Sequence, residues 1–285
     1  MTRSKRFTAA FIAAAMILAS AFSSTAYEKD FPDDVISSDR VSMDQFSSFI
    51  NVLSAHAGDD TGVPTHAYDT GIAYSGFEDA RRVRKTLMTL YCGDYTEFLE
   101  ADEGGTSDVT VKSAERLNGG YNSSVSGRRG SCTIKAGWYP GTNPAESMAQ
   151  HNAAWALLAQ IAQTAPAGDI DAYRYFNDQL CARINYGDPG GGIGWTPYGG
   201  LILGKGTCQA YSACFFILCF MTGRKCLRVS TPTHGRNVVF IDGVPKWVDA
   251  TWNDATSSHR YFLTDLSEAE LNYICTPGTA YEFPR

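Results

Sequence analysis

Among the eight cysteines of this chain, Cys208 has the surroundings of a nucleophile. It stands where the loop Gly204-Lys205-Gly206-Thr207 gives way to an apolar segment that stops at Thr222-Gly223. The pattern predicts a buried helix that begins at Cys208 and ends in a glycine C-cap. A thiol attacks as thiolate, and a helix start favours negative charge through its unpaired N–H groups and its dipole. The same N–H groups can steady the oxyanion formed when a carbonyl is attacked. Cys214 and Cys219 lie within the apolar run and read as small buried hydrophobes.

Such a thiol needs a base and a group to orient it. Asp242-Gly243 is a hairpin signal between expected strands at Asn237–Ile241 and Lys246–Thr251. A two-residue turn there sets Asp249 opposite Arg236, with His234 two residues further along the same strand and on the same face. That makes His234 and Asp249 diagonal neighbours, roughly 7–8 Å apart at the backbone and within side-chain reach. A slip of one residue would move Asp249 to the other face. His56, His66, His151 and His259 lack a partner pattern of this kind and read as surface residues or satisfied hydrogen-bonders. Metal binding competes for Cys and His, but the chain has no C-x-x-C and no H-x-x-x-H. No cofactor is expected, and no loop carries the alternating carboxylates of a calcium site.

These residues must be held by larger elements. Val83, Leu87 and Leu90 recur at helical spacing over Phe77–Tyr91, and Asn143-Pro144 opens a helix to about Gln163. Asp169 is expected to cap a further helix that buries Tyr173, Phe176, Leu180 and Ile184. Residues 188–206 hold eight glycines and read as loop, and Leu227–Ser230 reads as a strand. Residues 27–75 read as irregular, and 102–143 as short strands and loops around Val109–Val111 and Cys132–Trp138.

Residues 1–26 have the form of a secretory signal peptide. Arg3, Lys5 and Arg6 precede an apolar run from Phe7 to Phe22, and the small residues Ser23 to Ala26 follow. The run is shorter than the roughly 20 residues that span a bilayer. Cleavage would take the net charge from −6 to −9, which argues against nucleic acid as a partner. A secreted chain with no membrane span after cleavage is expected, and export permits disulfides among the remaining cysteines.

Three blocks resemble the transglutaminase-like superfamily in its secreted bacterial form. They are Tyr198-Gly199-Gly200-Leu201-Ile202-Leu203-Gly204-Lys205-Gly206-Thr207-Cys208-Gln209-Ala210-Tyr211, then His234-Gly235-Arg236-Asn237, then Trp247-Val248-Asp249-Ala250-Thr251-Trp252-Asn253-Asp254. The similarity covers about residues 145–265, including Ile184-Asn185-Tyr186. It implies an α+β fold with a papain-like core, in which a helix carrying the cysteine packs on an antiparallel sheet carrying the histidine and aspartate. An N-terminal helix-and-strand region precedes that core. The implied organisation is a signal peptide at 1–26, an N-terminal region at 27–140 and a catalytic domain at 141–285.

The resemblance also implies Cys208, His234 and Asp249 as a triad acting on peptide or protein amides by proteolysis, deamidation or cross-linking. Tyr198 would line the site and help hold the oxyanion, or would simply pack. Trp252 fits the family pattern and is expected to pack. Gly235-Arg236 departs from the family's small-aromatic pair, which alters the expected shape beside the histidine. The expected partner is a protein or peptide substrate, with cell-wall-associated proteins among the candidates. A second reading keeps the fold without turnover, as an extracellular binding or adhesion module.

Overall fold

A helix that is apolar on every side must be covered on every side, and that requirement organises this fold. The computed structural model describes residues 35–57, 68–75, 77–93, 100–104, 110–111, 131–137, 144–231 and 233–274. The expected signal segment, His66 and most of residues 112–143 lie outside the described residues. The elements, in chain order, begin with β1 (Val35–Ser37), α1 (Met43–His56), β2 (Tyr68–Ser75), α2 (Phe77–Cys92), β3 (Glu100–Gly104), β4 (Thr110–Val111) and β5 (Ser131–Gly137). Helices α3 (Pro144–Gln163) and α4 (Asp169–Arg183), strand β6 (Asn185–Tyr186), a 3-10 turn (Ile193–Trp195), α5 (Pro197–Leu201), β7 (Lys205–Gly206) and α6 (Cys208–Met221) follow. The chain continues through β8 (Cys226–Ser230), β9 (Gly235–Ile241), β10 (Val244–Val248), α7 (Ala250–Thr256), β11 (Phe262–Asp265) and α8 (Glu268–Ile274).

This is a mixed helix and sheet architecture, α+β as the sequence predicts. One antiparallel sheet has the order β1-β8-β9-β10-β11, a second has β2-β5-β3-β4, and β6 pairs with β7 in parallel. No helix among the described residues is long and apolar enough to cross a membrane.

Helix α6 is the buried centre. Cys208 and every residue from Ala210 to Phe220 are buried. Phe215 packs on Tyr173 and edge-on to Phe176 of α4, and Phe220 meets Trp155 of α3 and Phe46 of α1. On its remaining side α6 lies against the sheet face formed by Cys226, Val239 and Val248. The opposite face carries a smaller cluster of Val35, Leu227, Val229, Val238 and Trp247, closed by Ile274 of α8.

The β9–β10 hairpin has the expected register. Ile241 pairs with Val244, and Asn237 with Val248. Asp242 and Gly243 both take positive φ, as a tight two-residue turn of this kind requires.

The structure departs from the sequence expectation in several places. Helix α1, like strands β1 and β2, lies in the stretch 27–75 read as irregular. Its start is a reciprocal cap in which Ser42 Oγ accepts from Gln45 N at 3.1 Å and Gln45 Oε1 accepts from Ser42 N at 2.9 Å. Phe46, Phe49 and Leu53 then supply a buried face. Helix α4 is capped by Gly168, not by Asp169, whose carboxylate pairs with Arg224 Nε at 3.1 Å. The glycine-rich stretch 188–206 contains the 3-10 turn, α5 and β7. Finally, β10 stops at Val248, and Asp249 caps α7 where a continuing strand was expected.

Candidate active site

The position of Cys208 is set by the glycine-rich stretch before it. The Asp188 carboxylate gathers three backbone N–H groups, from Gly190 at 3.0 Å, Gly192 at 3.2 Å and Gly194 at 2.9 Å. Burial opposes its charge, but the three bonds outweigh that effect and hold its pKa below the usual carboxylate value. Gly194 O in turn accepts from Thr207 N at 2.8 Å, which ties this loop to the residue before Cys208. Gly206 lets β7 pass close to the helix. A Cβ there would meet Ala210 Cβ at 2.8 Å, Ile184 Cγ2 at 3.0 Å and Gly200 Cα at 3.1 Å.

Thr207 takes the N-cap position in extended conformation, without a side-chain cap bond, and the first helical residue is Cys208. The N–H groups of the first turn have no carbonyl partner within a helix. They are therefore available to an oxyanion beside the sulfur.

His234 and Asp249 meet, His234 Nε2 lying 2.6 Å from Asp249 Oδ2. Cys208 acts on the same imidazole, raising its pKa alongside Asp249. Since Nε2 is engaged by Asp249, the Nδ1 atom is left for the sulfur. Asp249 is itself fixed, because its Oδ1 accepts from Trp252 N at 3.0 Å as the cap of α7. Burial pulls the His234 pKa down. The hydrogen bond to Asp249 and its charge, together with the neighbouring Cys208, overcome that pull and carry it up to about 10.

The route to this contact differs from the expected one. Arg236 and Trp247 lie on the sheet face away from α6, with the guanidinium 3.6 Å from the indole ring centre. Strict alternation would put His234 on that face as well, away from Cys208. His234 instead precedes the first paired residue, Gly235. It sits in a turn where its N–H donates to Thr231 Oγ1 at 3.0 Å and its carbonyl accepts from Thr231 N at 2.7 Å. Both members of the pair have left the strands, and the two strand ends bring them together.

Tyr198 lies on α5 and lines a shallow pocket with Tyr91, Ser147, His151 and Thr196, among others. Neither Cys208 nor His234 borders that pocket. A tyrosine given no role in the sequence reading is coupled to the sulfur. Tyr186 pairs with Gly206, two residues before Cys208. Burial raises its pKa, and the charge of Cys208 raises it further. Its place directly after the α4 helix, in the block Ile184-Asn185-Tyr186, was the available signal.

Arg236 does not point at the histidine. Besides stacking on Trp247, it donates from Nη2 to Glu270 Oε1 at 2.8 Å, while Glu270 Oε2 accepts from Ser267 N at 2.8 Å. Trp252 packs near Tyr261. Of the other histidines, His151 is a satisfied hydrogen-bonder. Its Nδ1 lies 2.9 Å from Tyr91 O, and burial lowers its pKa to about 4, against a smaller upward effect of that bond. His259 pairs with Asp178 at the surface.

Cys92, Cys181, Cys208, Cys214, Cys219 and Cys226 form no disulfide bond. Among the described residues no group of three or more His, Cys, Asp or Glu side chains is gathered as a metal site would need. No protein-family model matches the chain, and no curated protein matches it either.

Proposed function

We propose that this chain is a secreted, cysteine-dependent acyl-transfer enzyme of the transglutaminase-like type. It acts on peptide or protein amides, with hydrolysis as the main outcome. The observation that carries this reading is the His234–Asp249 hydrogen bond at 2.6 Å beside Cys208, which acts on the same imidazole from a helix start. A buried Asp249, 5 % exposed and held by the Trp252 N–H, keeps the imidazole ring in one orientation. With the His234 pKa carried up to about 10, the ring is protonated at neutral pH and sits against the sulfur.

The chemistry follows from that arrangement. The Cys208 thiolate adds to the amide carbonyl carbon, and the oxyanion is steadied by first-turn N–H groups of α6. The tetrahedral species collapses as the C–N bond breaks, and the His234 imidazolium gives its proton to the departing nitrogen. A thioester on Cys208 and a neutral imidazole remain. Water, deprotonated by His234, then attacks the thioester. The C–S bond breaks, a carboxylic acid leaves, and the thiolate and imidazolium are restored. An amine in place of water would make the reaction a cross-link; water is favoured because it is the acceptor that needs no binding site of its own.

The test offers a glutamine-containing protein with a labelled primary amine, in wild type and in Cys208→Ala. Ammonia release or chain cleavage without amine incorporation, abolished by the substitution, supports the reading. Incorporation of the amine would make the enzyme a transferase. The 6 % exposure of Cys208 also suits a non-catalytic binding or adhesion module on the same fold. Turnover of no amide, with wild type equal to Cys208→Ala, would favour that second reading.

A further inference from the structure

The buried side of the site contains a charged residue that the acyl-transfer steps do not use. Arg228, in the middle of β8, is 1 % exposed. Its Nε donates to Ser212 Oγ at 3.0 Å and its Nη2 donates to Gln209 Oε1. Both acceptors belong to the first turns of α6. Gln209 follows Cys208 directly, and Ser212 lies one turn further on. Ser230 Oγ, two residues along the same strand, also reaches Gln209 Oε1 at 3.5 Å.

The same cluster abuts the residue after His234. A Cβ on Gly235 would lie 2.6 Å from Gln209 Oε1 and 2.8 Å from Ser212 Oγ, so any side chain there would displace the Gln209 carboxamide or the Ser212 hydroxyl. One strand position further in, Asn237 Nδ2 donates to Ser212 O at 3.1 Å. The helix start that carries Cys208 and the strand start that follows His234 therefore bear on one buried group of atoms.

We propose that Arg228 is a positioning residue for the nucleophile. Through Gln209 and Ser212 it fixes the first turn of α6 against β8 and β9, and so sets the distance between Cys208 and His234. The physical reason is the shape of the guanidinium. Its rigid fork of donors binds two acceptors at once in fixed geometry, whereas a lysine would offer a single mobile point. Displacement of a reacting group by about 1 Å costs roughly 100-fold in rate, so a small loosening of this turn is enough to matter. The inference rests on the thiol chemistry proposed above for its consequence in rate, but the contact itself can be read without turnover.

Two variants test it, Arg228→Met and Gln209→Met. The second leaves the buried arginine in place and removes only the carboxamide oxygen on the half-buried helix start. Each is compared with wild type by iodoacetamide labelling of Cys208 and by NMR titration of the His234 imidazole, with circular dichroism to establish folding. Arg228 is not among the groups that set the His234 pKa, so a merely structural role would leave the histidine titration where it is. The expected result in a folded variant is a roughly 10- to 100-fold slower labelling of Cys208 and a His234 titration moved down from about 10, because the contact with the sulfur is weakened. Should Arg228→Met fail to fold, the Gln209→Met result decides. A folded Gln209→Met protein with wild-type labelling and a wild-type His234 titration overturns the proposal. Failure of the functional reading looks different: wild-type Cys208 labels no faster than the other cysteines, while the His234 titration still responds to the variants.

Discussion

At the residue scale the chemistry depends on one proton. The His234 pKa, carried up to about 10 by Asp249 and Cys208 against burial, lies above the ordinary value of 6.5. Stability from the protonated ring is therefore fully present below about pH 6.5 and is lost as pH rises through about 10. Asp249→Asn keeps the shape of the side chain and removes its charge. It should move the alkaline limb of Cys208 alkylation to lower pH and shrink the stability difference between pH 6 and pH 10, measured by denaturant unfolding. An alkaline limb that does not move would show that Asp249 does not act through this proton.

The sequence carried this pair only in part. Residue types and hairpin register pointed to His234 and Asp249, but the face argument assumed strands that run on through both. The turn at Thr231–His234 and the cap at Asp249 are local hydrogen-bond choices that strand periodicity does not encode. Tyr198 is singled out because the family resemblance implies a site-lining tyrosine at that position, with plain packing as the equal alternative. Tyr186 is tied to the residues before Cys208 through the β6–β7 bridge, a pairing two residues long that leaves no periodic trace.

At the scale of elements, the entry to α6 matters most. The glycines before Cys208 act as close-packing residues as well as turn residues. Gly206→Ala should drive its methyl to 2.8 Å from Ala210 Cβ, nearer than real Cβ atoms approach, and to 3.1 Å from Gly200 Cα, which is also tight. Such overpacking costs about 1–3 kcal/mol and shifts the backbone beneath the nucleophile. A lower melting temperature together with roughly 100-fold slower chemistry at Cys208 is expected. Unchanged rates would mean that the loop does not set the sulfur's position. Helix α6 itself was legible, because an apolar run of its length between Gly206 and Gly223 has few other solutions. Helix α1 was also written in the sequence, as Ser-x-x-Gln before Phe46, Phe49 and Leu53, but its polar neighbours masked the pattern.

For the whole molecule, the decisive fact is a shared core. Ile36 of β1, Phe46, Phe49 and Leu53 of α1, and Leu87 and Leu90 of α2 belong to the same buried cluster as Phe215 and Phe216 of α6. Strand β1 pairs with β8 through Val35–Val229, Ile36–Arg228 and Ser37–Leu227, on the strand that also holds Arg228. A fragment of residues 141–285 would uncover β8 and one side of α6. It should bind a hydrophobic dye and lack a cooperative melt, whereas a chain of residues 27–285 should melt cooperatively. A cooperatively folded fragment would show that the N-terminal elements are dispensable. This dependence was not legible beforehand, since pairing across about 190 residues is set by complementary edges that a single sequence does not display.

The central claim is that Cys208 is poised by its partners, and selective alkylation tests it most directly. Wild-type protein treated with iodoacetamide at mildly acidic pH and mapped by peptide mass spectrometry should carry label at Cys208 well ahead of Cys92, Cys181, Cys214, Cys219 and Cys226. Asp249→Ala should slow that labelling by roughly 10- to 100-fold. Uniformly slow labelling, unchanged by Asp249→Ala, would contradict the account.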